Sequence, residues 1–277
     1  MIRWFLRGVS RPRVTTRYPR GEEPPPSGFR ARALLEPEAV DREEAARLAA
    51  TCLPGALARD EPGTLRLDAS RCIGCGLCVD VRDGDPTDAI ALDRGYELAV
   101  RSRDRLIVGA DRREADITTS PLGGAFRRSL HIRHVDAGSD GAVEQEIAAL
   151  LNPYYDMHRL GLFFTASPRH ADVLLVTGPV TTPMVQPLRR TYEAMPEPRV
   201  VVAAGTDACS GSIWSGPEVV GGVDRVLPVD VYIPGDPPSP IALLHGLLLA
   251  AGRVQEASSP RLHGGASADA ARAGGAA

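Results

Sequence analysis

Ala171-Asp-Val-Leu-Leu-Val-Thr-Gly-Pro-Val-Thr181 is the stretch on which the fold turns. Val173 to Val176 is an unbroken apolar run, too short for a core helix and stopped by Gly-Pro, so Ala171 to Thr177 reads as a strand covered on both faces. Working outward, Ser129 to Val135, Arg199 to Ala204 and Arg225 to Ile233 read the same way. Helical periodicity fills the intervals at Val143 to Leu151, Val185 to Met195 and Pro240 to Ala251. Strands alternating with helices imply a parallel sheet with helical crossovers, so residues 119–252 are expected to form an α/β domain.

Composition narrows the rest. The chain has 277 residues, 43% hydrophobic and 24% charged, with a formal net charge of −3. Such a balance provides no field of one sign and disfavours a nucleic-acid binder. All 32 basic residues are Arg, which excludes lysine chemistry. The longest apolar stretch, Ile241 to Ala251, is shorter than the ~18 residues of a membrane span and contains a His and a Gly. The first residues, Met-Ile-Arg-Trp-Phe-Leu-Arg, are too briefly apolar for a signal peptide, and the expected location is cytoplasmic with no anchor of its own. Residues 1–35 carry Arg3, Arg7, Arg11, Arg13, Arg17 and Arg20 before the first acid, Glu22. A short helix with Ile2, Phe5, Leu6 and Val9 on one side is expected, then a Pro-rich extended arm. That arm is either a solvated basic tail or a docking element for a partner or an anionic membrane surface. Residues 253–277, rich in Ala, Gly and Ser, are expected to be disordered.

Five cysteines stand at Cys52, Cys72, Cys75, Cys78 and Cys209. An odd number with tight Cys-x-x-Cys spacing points to metal rather than disulfides. Cys72-Ile-Gly-Cys75-Gly-Leu-Cys78 resembles the loop of a bacterial ferredoxin, in which the glycines allow the backbone close to an iron–sulfur cube. The loop has three thiolates, and its fourth position is Arg82, which cannot ligate iron. In two-cluster ferredoxins the fourth cysteine of one run serves the other run's cluster. Cys52-Leu-Pro-Gly-Ala-Leu57 resembles the end of a first run, although Leu53 separates the Cys from its Pro; the three remaining positions of that run are Arg42, Ala45 and Leu48. The two runs have lost complementary halves. Residues 36–118 thus resemble a dicluster ferredoxin, an α+β domain, that has kept one cluster. The resemblance implies one 4Fe–4S cluster on Cys52, Cys72, Cys75 and Cys78. A zinc site, an empty remnant, a three-iron cluster, or Asp83 or Asp85 as fourth ligand are the alternatives. Pro37 to Ala50 is a helix former, with Val40, Ala45 and Leu48 apolar, and would occupy the space of the lost cluster.

Within 129–250, the segment Ala171–Thr181 together with Tyr192-Glu-Ala-Met-Pro-Glu-Pro-Arg-Val200 and Pro228-Val-Asp-Val-Tyr-Ile-Pro-Gly235 resembles the small subunit shared by complex I (its 20 kDa or B-type component) and membrane-bound group 4 nickel–iron hydrogenases. His131-Ile-Arg-His-Val-Asp-Ala-Gly-Ser139 and Leu150-Leu-Asn-Pro-Tyr-Tyr-Asp156 favour the hydrogenase-like branch. This implies a flavodoxin-like parallel sheet, fused here to a ferredoxin-type subunit. In that family four cysteines hold the cluster nearest the large subunit. The matching positions here are Asp140, Val143, Asp207 and Asp236, so the resemblance implies that this proximal cluster is lost. The three aspartates could instead hold Mg²⁺ or Ca²⁺, or cap helices and pair with arginines. Cys209 reads as a small buried or free thiol. His131 and His134 lie on opposite faces of a strand, against a paired metal site. No phosphate loop, Gly-x-Gly-x-x-Gly run or nucleophile–base pair argues for an independent enzyme. What the resemblance implies is a non-catalytic electron-transfer subunit, peripheral on the inner face of the cell membrane, whose partners are a hydrogenase- or complex-I-like large subunit and membrane subunits. The alternatives are a purely structural subunit and a cation-binding domain.

Overall fold

A computed structural model describes residues 2–10, 13–21, 23–60, 63–81, 89–109, 122 and 124–262. In the first half, helix α1 (Ile2–Ser10) is followed by strand β1 (Arg32–Leu35), helix α2 (Arg42–Thr51), strands β2 (Leu57–Arg59) and β3 (Leu65–Asp68), the one-turn helix α3 (Leu77–Asp80) and strands β4 (Ile90–Asp93) and β5 (Ile107–Val108). β1 and β4 pair antiparallel, and β2, β3 and β5 form a second antiparallel sheet in that order. The expected helix over 37–50 starts later. Pro37–Ala39 is a 3₁₀ turn, Val40 is extended, and α2 begins after Asp41, whose carboxylate accepts from the Glu44 N–H at 2.8 Å. The Asp41 carboxylate thereby satisfies one of the N–H donors that the first turn of α2 leaves without a partner in the helix. Asp41→Ala should therefore cost about 1 kcal/mol in denaturant unfolding. Ala45 and Leu48 face inward as expected, beside Leu35, Leu65 and Leu67.

The second half comprises β6 (Leu130–Asp136), α4 (Ala142–Ala149), β7 (Leu162–Phe164), β8 (Val173–Thr177), β9 (Val180–Thr181), α5 (Val185–Glu193), β10 (Val200–Ala204), α6 (Thr206–Ser210), β11 (Val219–Gly221), β12 (Val231–Ile233) and α7 (Pro240–Ala250). Five strands form one parallel sheet in the order β12-β10-β8-β6-β7. Numbered by their appearance this is 2-1-3-4-5 read from β7, the flavodoxin-like order, with its switch point between β6 and β8. All five residues of β8 and of β10 are buried, as their unbroken apolar runs require. The strand expected over 225–233 is shorter than its pattern. Val223–Arg225 is a 3₁₀ turn, and pairing begins only after Pro228, which has no N–H to give a ladder.

The apolar run Ile241–Ala251 becomes α7, capped by Ser239 and almost wholly buried. One side packs on β10 and β12 and the other on residues of the first half, including Ala31, Leu98 and Ala99. Val100 and Tyr232 exchange two backbone hydrogen bonds, at 3.0 and 2.8 Å, and so tie the first half to the edge of the central sheet. The tail expected to be disordered from residue 253 does not begin there. Ala257 is buried, its N–H donates to Ala99 O, and Pro260 O accepts from Leu35. Residues 263–277 lie outside the described residues.

Candidate metal centre

Cys52 closes α2, and the chain then turns into β2, so that the Leu57 N–H donates to Cys52 Sγ at 3.2 Å. Cys72 follows β3, with its Sγ accepting from the Ala33 N–H at 3.3 Å. Between the later cysteines, Gly74 and Gly76 hold φ of +66° and +84°, which bends the loop back on itself. A Cβ on Gly76 would stand 2.5 Å from the Arg30 guanidinium, and one on Gly74 3.1 Å from Ala31 O. Cys78 then enters α3, packed in the first half's core. All four cysteines line one pocket whose other walls are largely apolar, among them Ala33, Leu57, Leu67 and Leu92.

Cys72 and Cys78 are buried, Cys52 is half-buried and Cys75 is exposed. Burial pushes the Cys78 thiol up to about 12, and the nearby sulfurs of Cys72, Cys52 and Cys75 push in the same direction. Burial raises Cys72 as well. Bare thiolates are therefore disfavoured here, and several can form together only against compensating positive charge, which iron ions supply. The N–H···S bonds from Leu57 and Ala33 add donors of the kind that stabilise cluster sulfurs. The buried Arg32, 3% exposed, pairs with Asp93 and donates to Ser258 O while its charge acts on Cys72. The residues present fit an iron–sulfur cube. Among the described residues no three His, Cys, Asp or Glu side chains converge tightly enough for a single metal ion. A cube sets a different requirement, since it binds each thiolate through its own iron at a separate corner. Arg82, Asp83 and Asp85 lie outside the described residues.

The four positions that the resemblance matched to cluster cysteines gather elsewhere, beyond the C-terminal ends of β6, β10 and β12. Asp140 stands ahead of α4 and accepts from the Ala142 N–H at 2.9 Å. Val143 is buried against Gly205. Asp207, in α6, is 7% exposed and accepts from Trp214 Nε1 at 2.9 Å, whereas Asp236 is exposed. Burial raises the Asp207 carboxyl to about 6, with the charges of Asp236 and Asp140 adding and the Trp214 bond opposing. The three aspartates thus feel one another. His131 and His134 are not brought together. His131 is exposed beside Asp172, and His134 shares a 2.9 Å hydrogen bond with Thr177 Oγ1. Thr177 and Ser139 both donate to Glu144. The sequence reading missed this network at the switch point, because it depends on β6–β8 register rather than on spacing along the chain. Gly178 serves the same crevice, since a Cβ there would sit 2.3 Å from Ser139 N.

The thiol pocket and the aspartate edge adjoin. Thr206, one residue before Asp207, donates to Cys72 O at 3.3 Å, and Ser210 donates to Ser70 O at 2.9 Å. Cys209 is fully buried between them in sequence and donates to Ala203 O.

Residues 141–250 match the model of the NADH ubiquinone oxidoreductase 20 Kd subunit family. A probable membrane-bound hydrogenase subunit from Pyrococcus furiosus is 41% identical over 142 residues, 51% of this chain and 85% of that protein. The chain belongs to this family. Among other relatives, formate hydrogenlyase subunit 7 of Escherichia coli is 42% identical over 132 residues, 47% of this chain. An NADH-quinone oxidoreductase subunit from Citrifermentans bemidjiense is 53% identical over 94 residues, 34% of this chain. The aligned regions span 52% and 55%, respectively, of those two proteins. Within the 20 Kd family match lie Val143, Asp207 and Asp236, while Cys52, Cys72, Cys75 and Cys78 all fall outside it. No helix among the described residues is long and apolar enough to cross a membrane.

Proposed function

We propose that the chain is a peripheral electron-transfer subunit of a complex-I-like or energy-converting-hydrogenase-related membrane oxidoreductase, with no catalytic site of its own. In this reading a ferredoxin-like part, 36–118, is fused to the 20 Kd-type part, 119–252. The first carries one 4Fe–4S cluster on Cys52, Cys72, Cys75 and Cys78; the second has lost its proximal cluster at Asp140, Val143, Asp207 and Asp236. The supporting observation is that four cysteines from two separate stretches line a single apolar pocket. When bound, such a cluster accepts and donates one electron. The chain's own residues hold it, keep water from Cys72 and Cys78, and direct N–H donors at two of the sulfurs.

Placement supports electron transfer over a purely structural role. The Cys72 loop is hydrogen-bonded to Thr206 at the start of α6, so the proposed cluster site abuts the aspartate edge. Large apolar side chains are exposed at both places, Leu53 and Leu77 by the pocket and Ile213 and Trp214 by Asp207, as faces covered by partner subunits would have them. Protein isolated without oxygen should hold about four iron and four sulfide per chain. Isolated from its native membranes it should bring a large subunit and membrane-spanning subunits with it. An iron-free chain, or a stable monomer without such partners, would contradict the reading.

A further inference from the structure

The arm before β1 is pinned down rather than free. Thr16 N–H donates to Tyr154 O at 2.8 Å, Thr15 Oγ1 to Pro153 O at 2.9 Å, and Arg159 Nη2 to Tyr18 O at 2.7 Å. Tyr18 is buried, edge-on to Tyr96, and donates to Glu97. These contacts close a cleft of about 430 Å³ between the arm and the second half of the chain, lined by Arg13, Arg17, Arg20, Arg159 and Arg253 with Thr15 and Thr16. Five arginines thus line one space, Arg159 and Arg253 also donating to Tyr18 O and Leu160 O. Two acids act on Arg159, Asp156 more strongly than Glu23, and Glu23 is also engaged by the Tyr154 hydroxyl and the Arg17 N–H. Partial burial lowers the Arg159 pKa, while the charges of Asp156 and Glu23 raise it and those of Arg13 and Arg20 lower it. Five arginines against two acids leave a positive lining that offers an anion several donors at once. Guanidinium forks with hydroxyl donors beside them match the tetrahedral oxygens of phosphate.

We propose that this cleft is a phosphate-binding site, taking either the phosphate of an anionic phospholipid headgroup or that of a soluble phosphorylated compound. Leu6 and Val9, exposed on α1 a few residues ahead of Arg13, suit the lipid source, because they would enter a bilayer whose headgroups the cleft could reach. The site shares no residue with the thiol pocket and does not rest on the cluster reading.

The test uses the full chain. Its sedimentation with phosphatidylcholine vesicles is compared with sedimentation on the same vesicles containing phosphatidylglycerol, and its binding of inorganic pyrophosphate is followed by calorimetry. Two double variants probe the cleft: Arg159→Gln with Arg253→Gln, and Arg13→Gln with Arg20→Gln on the arm. A control, Arg189→Gln with Arg190→Gln, removes equal charge from exposed positions on α5. Binding that requires phosphatidylglycerol and weakens about fivefold per arginine lost from the cleft, but not in the control, assigns the lipid headgroup. Pyrophosphate binding with the same pattern and no vesicle preference assigns a soluble phosphate. Binding of neither probe, or equal weakening in cleft and control variants, would overturn the proposal. Iron content read on the same samples reports separately on the thiol pocket and should not change.

Discussion

Cys52→Ser should strip iron and sulfide from the purified chain as thoroughly as Cys75→Ser does, while Cys209→Ser leaves both unchanged. The three cysteines of the 72–78 loop offer a cube three corners, and the fourth must come from elsewhere in the fold. Cys52 is brought there by α2 and by the turn into β2, and its Sγ already accepts from the Leu57 N–H. A serine hydroxyl is a harder and far less acidic donor than a thiol, and iron in a cluster prefers sulfur. Losing one corner also leaves Cys72 and Cys78 as buried thiols that disfavour their charged forms, which weakens the remaining ligands. Iron and sulfide analysis, together with the visible spectrum of anaerobic samples, reads the effect directly. A Cys52→Ser protein with full iron and an unaltered spectrum would show that the fourth ligand lies after Cys78 instead. Cys209, fully buried and donating to Ala203 O, serves as the control because it faces no pocket sulfur.

What could be read in advance depended on range along the chain. β8 and β10 were legible because a strand buried on both faces must be apolar throughout, and Val173–Val176 and Val200–Ala204 are. α7 was legible as a helix from its Ser-Pro start and its length, but not its burial on all sides, which the first half of the chain supplies. β7 was missed. Leu162–Phe164 is only three residues long, follows a left-handed Gly161, and is a strand because β6 offers it an edge. Residues 253–262 have the composition of a tail, yet Glu256 pairs with Arg101 and Arg105, partners no local pattern reveals. That Cys52 and the 72–78 loop line one pocket agrees with an expectation drawn from their resemblance to two ferredoxin half-runs, not from any local pattern. The arginine cleft was not legible, since Arg159 and Arg253 stand far along the chain from the arm they meet.

The aspartate edge provides the second large effect, and its sign can be worked out. Asp207 has a pKa of about 6 in the folded chain, above the ordinary carboxyl value of about 4. Between those two pH values the folded state keeps a proton that the unfolded state has released. Stability contributed by this group therefore falls as pH rises from about 4 to about 6, and stays at its lower level above that. A two-unit shift corresponds to roughly 3 kcal/mol at full size, and solvent reaching the edge through the exposed Asp236 reduces the expected value to about 1–2 kcal/mol. Asp207→Asn keeps an acceptor for the Trp214 indole N–H and removes the charge that Asp140 and Asp236 oppose. The variant should match the native chain near pH 4 and exceed its stability by that amount at pH 7. Raised carboxyls away from this edge, such as Asp230, act equally in both proteins, so the difference between the two unfolding curves reports the Asp207 charge together with its coupling to Asp140 and Asp236. Denaturant unfolding across this range decides the matter: curves that run parallel at every pH would mean that Asp207 titrates like an ordinary carboxylate and that the three aspartates do not act on one another. A variant less stable than the native chain at pH 7 would mean that the Asp207 charge is compensated, as it would be by a cation held at this edge.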